Sequence, residues 1–143
     1  MIAVDTNILV YAHRSDSNWH QPARERLTEL AEGDVPWMIP LPCMHEFLAI
    51  STQPRIYSPP SPMKVAVAQV DFWLESPRLT LQGESDRHWM TMKSLLESAK
   101  IVGAAVHDAR VAAICIDHGV RELWTADRDF SRFKQLRVLN PLV

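Results

Sequence analysis

The chain has 143 residues, with 15 Lys+Arg against 17 Asp+Glu and a formal net charge of −2. That length suits one compact domain spanning residues 1–143 with a sizeable core. Apolar residues at 47% and charged residues at 22% argue against a disordered chain. The absence of a Lys/Arg excess argues against a basic coat that binds nucleic acid by bulk charge.

Two cysteines, Cys43 and Cys115, stand far apart, which disfavours a disulfide framework or a thiolate zinc site and fits a reducing compartment. The opening run Met1-Ile2-Ala3-Val4 meets Asp5 too soon for a signal peptide. The apolar stretches Ile101 to Val106 and Val111 to Ile116 are split by His107, Asp108 and Arg110, and neither is long enough to span a bilayer. The expectation is a cytoplasmic protein with no membrane partner.

In chain order, Ile2-Ala3-Val4 has no polar alternation and predicts a buried strand. Thr6 and Asn7 are then placed to cap a helix carrying Ile8, Leu9 and Tyr11. Ala23, Leu27, Leu30 and Ala31 recur at helical spacing between His20 and Glu32, and Gly33 stops that run. Val35 to Ile39 predicts a second strand, and Pro40 and Pro42 frame a turn into a helix from Cys43 to Ser51. A Pro-rich loop, Ser58 to Pro62, precedes a helix from Met63 to Glu75. Arg78 to Leu81 predicts a short strand, Ser85 to Ala99 a helix, and Val106 to His118 a helix apolar on most faces. Glu122 to Thr125 and Leu136 to Leu139 complete the strands. Strands alternating with helices imply a parallel sheet with helices on both faces.

In such sheets ligands lie beyond the carboxyl ends of the strands, and acidic residues collect at those ends here. Asp5 follows the first strand, Glu46 sits in the helix after the second, Asp108 opens the buried helix, and Asp127 and Asp129 follow the fourth strand. Each has an ordinary structural reading: Asp5 as a helix cap, Glu46 on a helix dipole, Asp127 and Asp129 as turn residues. Asp108 is harder to dismiss, because it heads a helix continuing Ala109, Val111, Ala112, Ala113. Crowded carboxylates hold protons unless a cation is present. One hard divalent cation, Mg²⁺ or Mn²⁺, accounts for all of them together. Such an ion activates water and grips phosphate oxygens.

Asp5-Thr6-Asn7 after an N-terminal strand, the lone Glu46, His107-Asp108-Ala109 and Thr125-Ala126-Asp127-Arg128-Asp129-Phe130 resemble the PIN domain family. More narrowly, the chain resembles the VapC toxins of bacterial type II toxin–antitoxin modules, over essentially its whole length. The resemblance implies a three-layer α/β/α fold with a central, mostly parallel sheet flanked by helices. It implies an Mg²⁺- or Mn²⁺-dependent endoribonuclease leaving a 5′-phosphate and a 3′-hydroxyl. It also implies a VapB-like antitoxin, a homodimer, and contact with DNA only indirectly through the antitoxin. Carried over residue by residue, Asp5, Glu46, Asp108 and Asp127 match the catalytic acids, and Asp5, Asp108, Asp127 and Asp129 match metal ligands, Asp129 being the less constant one. Thr6, Asn7 and Thr125 match polar residues that orient the ligands.

Arg128 and Arg132, directly after the acidic turn, are candidates for RNA phosphate contacts, as are Arg14 and Arg110 with less support. His45 and His107 each adjoin an acid on a helix and so point elsewhere, which suits packing or support rather than ligation. Other readings stay open: a non-catalytic PIN-like binding module, or another Mg²⁺-dependent phosphohydrolase. A haloacid-dehalogenase-like phosphatase would need Asp-x-Asp where Asp5-Thr6-Asn7 stands. A receiver domain would need an Asp after a middle strand, where the strand at Val35 is followed by prolines. With Asp5, Glu46, Asp108 and Asp127 set aside, the rest of the chain carries a small positive excess.

Overall fold

The computed structural model describes residues 1–143. β1 (Ile2–Val4) leads into α1 (Thr6–His13) and α2 (His20–Glu32), and β2 (Trp37–Pro40) into α3 (Leu41–Ser51) and α4 (Met63–Trp73). β3 (Leu79–Gln82) leads into α5 (His88–Ser98) and α6 (Ala105–Asp117). β4 (Glu122–Trp124) reaches β5 (Arg137–Leu139) through a short 3-10 turn, Arg128–Arg132. The strand order is β3-β2-β1-β4-β5 and every pairing is parallel, so the sheet expected to be mostly parallel is wholly so.

The chain steps outward from β1 to β2 and β3, then crosses back to β4 and β5 on the other side of β1. Right-handed crossovers then place α1 to α4 on one face and α5 and α6 on the other. Accordingly α1 packs on α2 and α3, α3 packs on α4, and α5 packs on α6. The order reverses between β1 and β4, and the crevice beyond the carboxyl ends of these two strands is the topological switch point.

The elements follow the sequence closely, with local differences that have physical causes. α1 is capped by Asp5, whose side chain accepts from the Thr6 backbone N–H, rather than by Thr6 or Asn7. β2 starts at Trp37 because Pro36 has no N–H for the ladder; its carbonyl accepts from Ile2 N instead. α3 starts two residues early, since Pro42 fits a first helical turn. α5 starts at His88, because the Ser85 hydroxyl is engaged with Asp117 at 2.7 Å and accepts from Arg87 N.

The sheet is buried between its helix layers, as the unalternated strands required: Ala3, Val4, Trp37, Met38 and Leu123 have no exposure. The Trp37 indole N–H donates to Ser76 Oγ at 3.1 Å, and that hydroxyl donates to the Ala31 carbonyl at 3.0 Å. β2 is thereby tied to the end of α2 without an unpaired polar atom. α6 buries Ala109 and Val111 through Cys115, the apolar run that left Asp108 conspicuous. No helix is long and apolar enough to cross a membrane.

Phe47 on α3 is fully buried, edge-on to His13 at 5.3 Å and tilted against Trp73 at 5.0 Å. It joins α1, α3 and α4. Phe47→Ala is expected to cost about 3–5 kcal/mol of unfolding free energy, read as a lower denaturation midpoint in urea.

Candidate active site

β1 ends at Val4, and Asp5 takes the first position beyond it. Its backbone N–H still bonds the Trp124 carbonyl at 2.9 Å, so the residue is fixed by the sheet before its side chain acts. Asp5 is only 7% exposed. Its Oδ1 accepts from Thr6 N at 2.8 Å and from the Cys43 thiol at 3.4 Å. Its Oδ2 accepts from Thr125 Oγ1 at 2.8 Å and from Asn7 Nδ2 at 3.4 Å. Burial still raises the Asp5 pKa above the usual range for aspartate: the bonds from Thr125, Thr6 and Cys43 pull it down, and nearby Asp127 pushes it up again.

Thr125 joins the two strand ends. Its hydroxyl donates to Asp5 and accepts from Asn7 Nδ2 at 3.1 Å and from Asp127 N at 2.9 Å. The Asn7 side-chain Oδ1 accepts from Ala126 N at 3.1 Å. Asp127 in turn caps the 3-10 turn, accepting from Asp129 N at 2.9 Å. The loop after β4 is thus held against the start of α1 by a network that satisfies each of its members.

This network floors a cavity of about 300 Å³ at the switch point, lined by Asp5, Glu46, Asp108 and Asp127 together with Thr6 and Asn7. Glu46 comes from α3, exposed at the rim, and Asp108 from the first turn of α6, half-buried. Partial burial raises the Glu46 pKa, Asp5 and Asp108 raise it further by repulsion, and His107 opposes them. Asp108 is raised by burial and then by Asp127 and Asp5, against a lowering by Arg132. No Lys or Arg lines the cavity. Carboxylates facing one another with no Lys or Arg among them are suited to an oxygen-seeking metal. The acids surround the space without forming a closed cage, since no three His, Cys, Asp or Glu side chains gather as a ready-made cluster.

The remaining candidates fall elsewhere. The Asp129 carboxyl is exposed, outside the cavity lining, and pairs with Arg132 at 3.7 Å. Arg132 also donates from Nε to the Asp129 carbonyl at 2.9 Å, and Arg128 is exposed on the turn. Arg14 is committed to Asp16 and Arg110 to Glu84. His45 is exposed and lines no part of the cavity, whereas His107 does line it.

Sequence reasoning missed Cys43 and the aromatic wall of the cavity, Tyr11 and Tyr57. Cys43 stands three residues before Glu46 and so shares its helix face, a spacing that marks it in hindsight. Tyr57 comes from an irregular loop with no periodic signal.

Residues 2–136 match the PIN domain. The chain belongs to the PIN domain family. Among curated relatives, this PIN domain is 34% identical to Ribonuclease VapC43 of Mycobacterium tuberculosis over 142 residues, covering 99% of this chain and 96% of the relative. Among solved structures it superposes on VapBC2 from Rickettsia felis, bound to a promoter DNA fragment, with a TM-score of 0.68 at 22% identity, covering 97% and 98% of the two chains. It superposes on Mycobacterium tuberculosis VapC20, described as a Sarcin-Ricin loop cleaving toxin, with a TM-score of 0.67 at 17% identity over 92% and 93%. The three-layer α/β/α architecture of this PIN domain is that of these structures.

Two outcomes follow from the geometry. Thr125→Val removes a hydroxyl that serves three partners, leaving Asp127 N and Asn7 Nδ2 short of an acceptor. It should lower unfolding free energy by about 1–3 kcal/mol in urea titrations, with Thr125→Ser much milder. For Asp108, a native pKa raised above the unfolded value means its stabilising form is the protonated one. That contribution is complete below the unfolded pKa and is lost as pH rises through the native one. At neutral pH in chelator, Asp108→Asn should therefore raise Tm by about 1–2 °C, screening by solvent keeping it small. The gain should vanish below about pH 4, where the wild-type group is protonated too.

Proposed function

We propose that this PIN domain is a metal-dependent endoribonuclease acting as the toxin of a VapBC-type module, hydrolysing RNA phosphodiester bonds until a VapB-like antitoxin neutralises it. The observation that carries the reading is the meeting of Asp5, Glu46, Asp108 and Asp127 in one cavity at the switch point, with no Lys or Arg lining it. The similarity to VapC ribonucleases over nearly the full length supports the same activity.

Asp5, Asp108 and Asp127 are the residues to hold Mg²⁺ or Mn²⁺, with Glu46 at the rim completing the acidic set. An Mg²⁺ ion keeps several of its waters, so carboxylates spread around a cavity suffice without a closed cage. When bound, the metal supplies a lowered pKa for water and a counter-charge for the phosphodiester. Asp5 is held in place by Thr125, Thr6, Cys43 and Asn7, so its orientation is set before substrate arrives. Glu46, exposed at the rim with its pKa raised by partial burial and by Asp5 and Asp108, is placed to take up a proton at the open side. Asp127 is oriented by the bond its backbone N–H gives to Thr125.

Protein partners are supported by apolar side chains left in solvent. α4 exposes Val65, Val67 and Phe72, and α5 exposes Trp89 and Met90. Surfaces of this kind fit an antitoxin and a second copy of the chain. An RNA substrate, a homodimer and a cytoplasmic setting belong to the same proposal.

The test is RNA cleavage in Mg²⁺ with purified protein. Asp5→Asn and Asp108→Asn should each lose more than about 100-fold in rate, beyond the 10–100-fold typical when only a supporting partner is removed. EDTA should abolish wild-type cleavage and Mn²⁺ restore it. Wild-type rates in either variant, or undiminished cleavage in EDTA, would sink the proposal.

A further inference from the structure

Resting on the nuclease reading above, we propose that Tyr57 is a stacking platform for one base of a single-stranded RNA, seated beside the phosphate held at the acids. Tyr57 and the four carboxylates line the same cavity, although Tyr57 comes from the loop between α3 and α4. Arg14 covers one face of the Tyr57 ring, with its guanidinium carbon 4.2 Å from the centroid. Arg14 is not part of the cavity lining, whereas Tyr57 is, half-buried and packed in part against the core.

Arg14 is not free to bind phosphate. It pairs with Asp16 through two bonds, at 2.9 Å and 2.6 Å. It also donates to Ser61 Oγ at 3.2 Å and to the Pro59 carbonyl at 3.0 Å. These bonds fasten the loop on the far side of the ring, and Tyr57 N is fixed to the Gln53 carbonyl at 3.0 Å. The ring is therefore braced before any ligand arrives, which reduces the ordering cost of binding.

The cavity, about 300 Å³, lies at the small end for ligand sites and suits one nucleotide rather than a duplex. Single-stranded RNA is recognised by splaying bases onto aromatic rings, and such stacking tolerates any base. The acids and the braced ring share this one cavity and divide the nucleotide between them, phosphate to the acids and base to Tyr57.

The experiment uses short single-stranded RNAs carrying 2-aminopurine at successive positions, bound to the full chain with Ca²⁺ in place of Mg²⁺. Wild type and Tyr57→Phe should quench the probe at one position. Tyr57→Leu should lose the quench and bind about tenfold more weakly or worse, the size of one base–aromatic stack. In Mg²⁺, Tyr57→Leu should raise KM by a similar factor while kcat changes less. Equal binding, quench and cleavage by Tyr57→Leu would overturn the platform, as would Tyr57→Phe failing as badly as Tyr57→Leu. Should Tyr57→Leu melt early, Tyr57→Trp replaces it, and a Trp variant that does not quench overturns the proposal. A ring-dependent quench with no wild-type cleavage in Mg²⁺ would remove the nuclease reading and leave the platform. Cleavage with a ring-independent quench would do the reverse.

Discussion

Burying the carboxylate of Asp5 is the constraint on which the rest of the site depends. A charge taken out of water is costly unless each lone pair finds a donor. Asp5 finds four, from Thr6, Asn7, Cys43 and Thr125. Those donors come from α1, from the start of α3 and from the end of β4. Placing one carboxylate therefore dictates how the ends of β1, β2 and β4 meet. The same residue caps α1, so a single side chain ends the central strand and begins the first helix.

Even with every donor in place, the acids of the cavity remain in conflict. Asp5, Glu46 and Asp108 all have their pKa values raised by burial first and then by neighbouring carboxylates, Asp127 acting on both Asp5 and Asp108. A site of this kind trades stability for the ability to attract a cation, a common pattern where function concentrates like charges. The core compensates for this. Trp37, Phe47, Ile114 and Leu123, all without appreciable exposure, belong to the single apolar core of the sheet and its helices.

Much of this was legible in the residues. The unalternated run Ile2-Ala3-Val4 announces a buried strand, Glu122 to Thr125 reads as another, and the acids that follow them point to a shared crevice. His20–Glu32 emerged with its expected limits, because Gly33 and the apolar spacing agree. What stayed hidden depends on contacts between distant segments. Cys43 looks like a small apolar residue until α3 is set beside Asp5. Tyr57 sits in a loop whose course is fixed by Arg14 and Ser61, not by any local pattern. The 3-10 turn, which no periodicity announces, carries Arg128 and Asp129 out to solvent beside the cavity rather than into its lining.

The sheet order also has a consequence for the time at which the site exists. Asp5 is made well before its partner Thr125, which lies 120 positions later. β4 pairs directly with β1, so through most of synthesis the central strand lacks one neighbour and the carboxylate lacks the hydroxyl that orients it. Neither Asp108 nor Asp127 has yet joined it. A nascent fragment that stops short of β4 thus lacks an assembled cavity, which forms only once β4 and β5 slot into place.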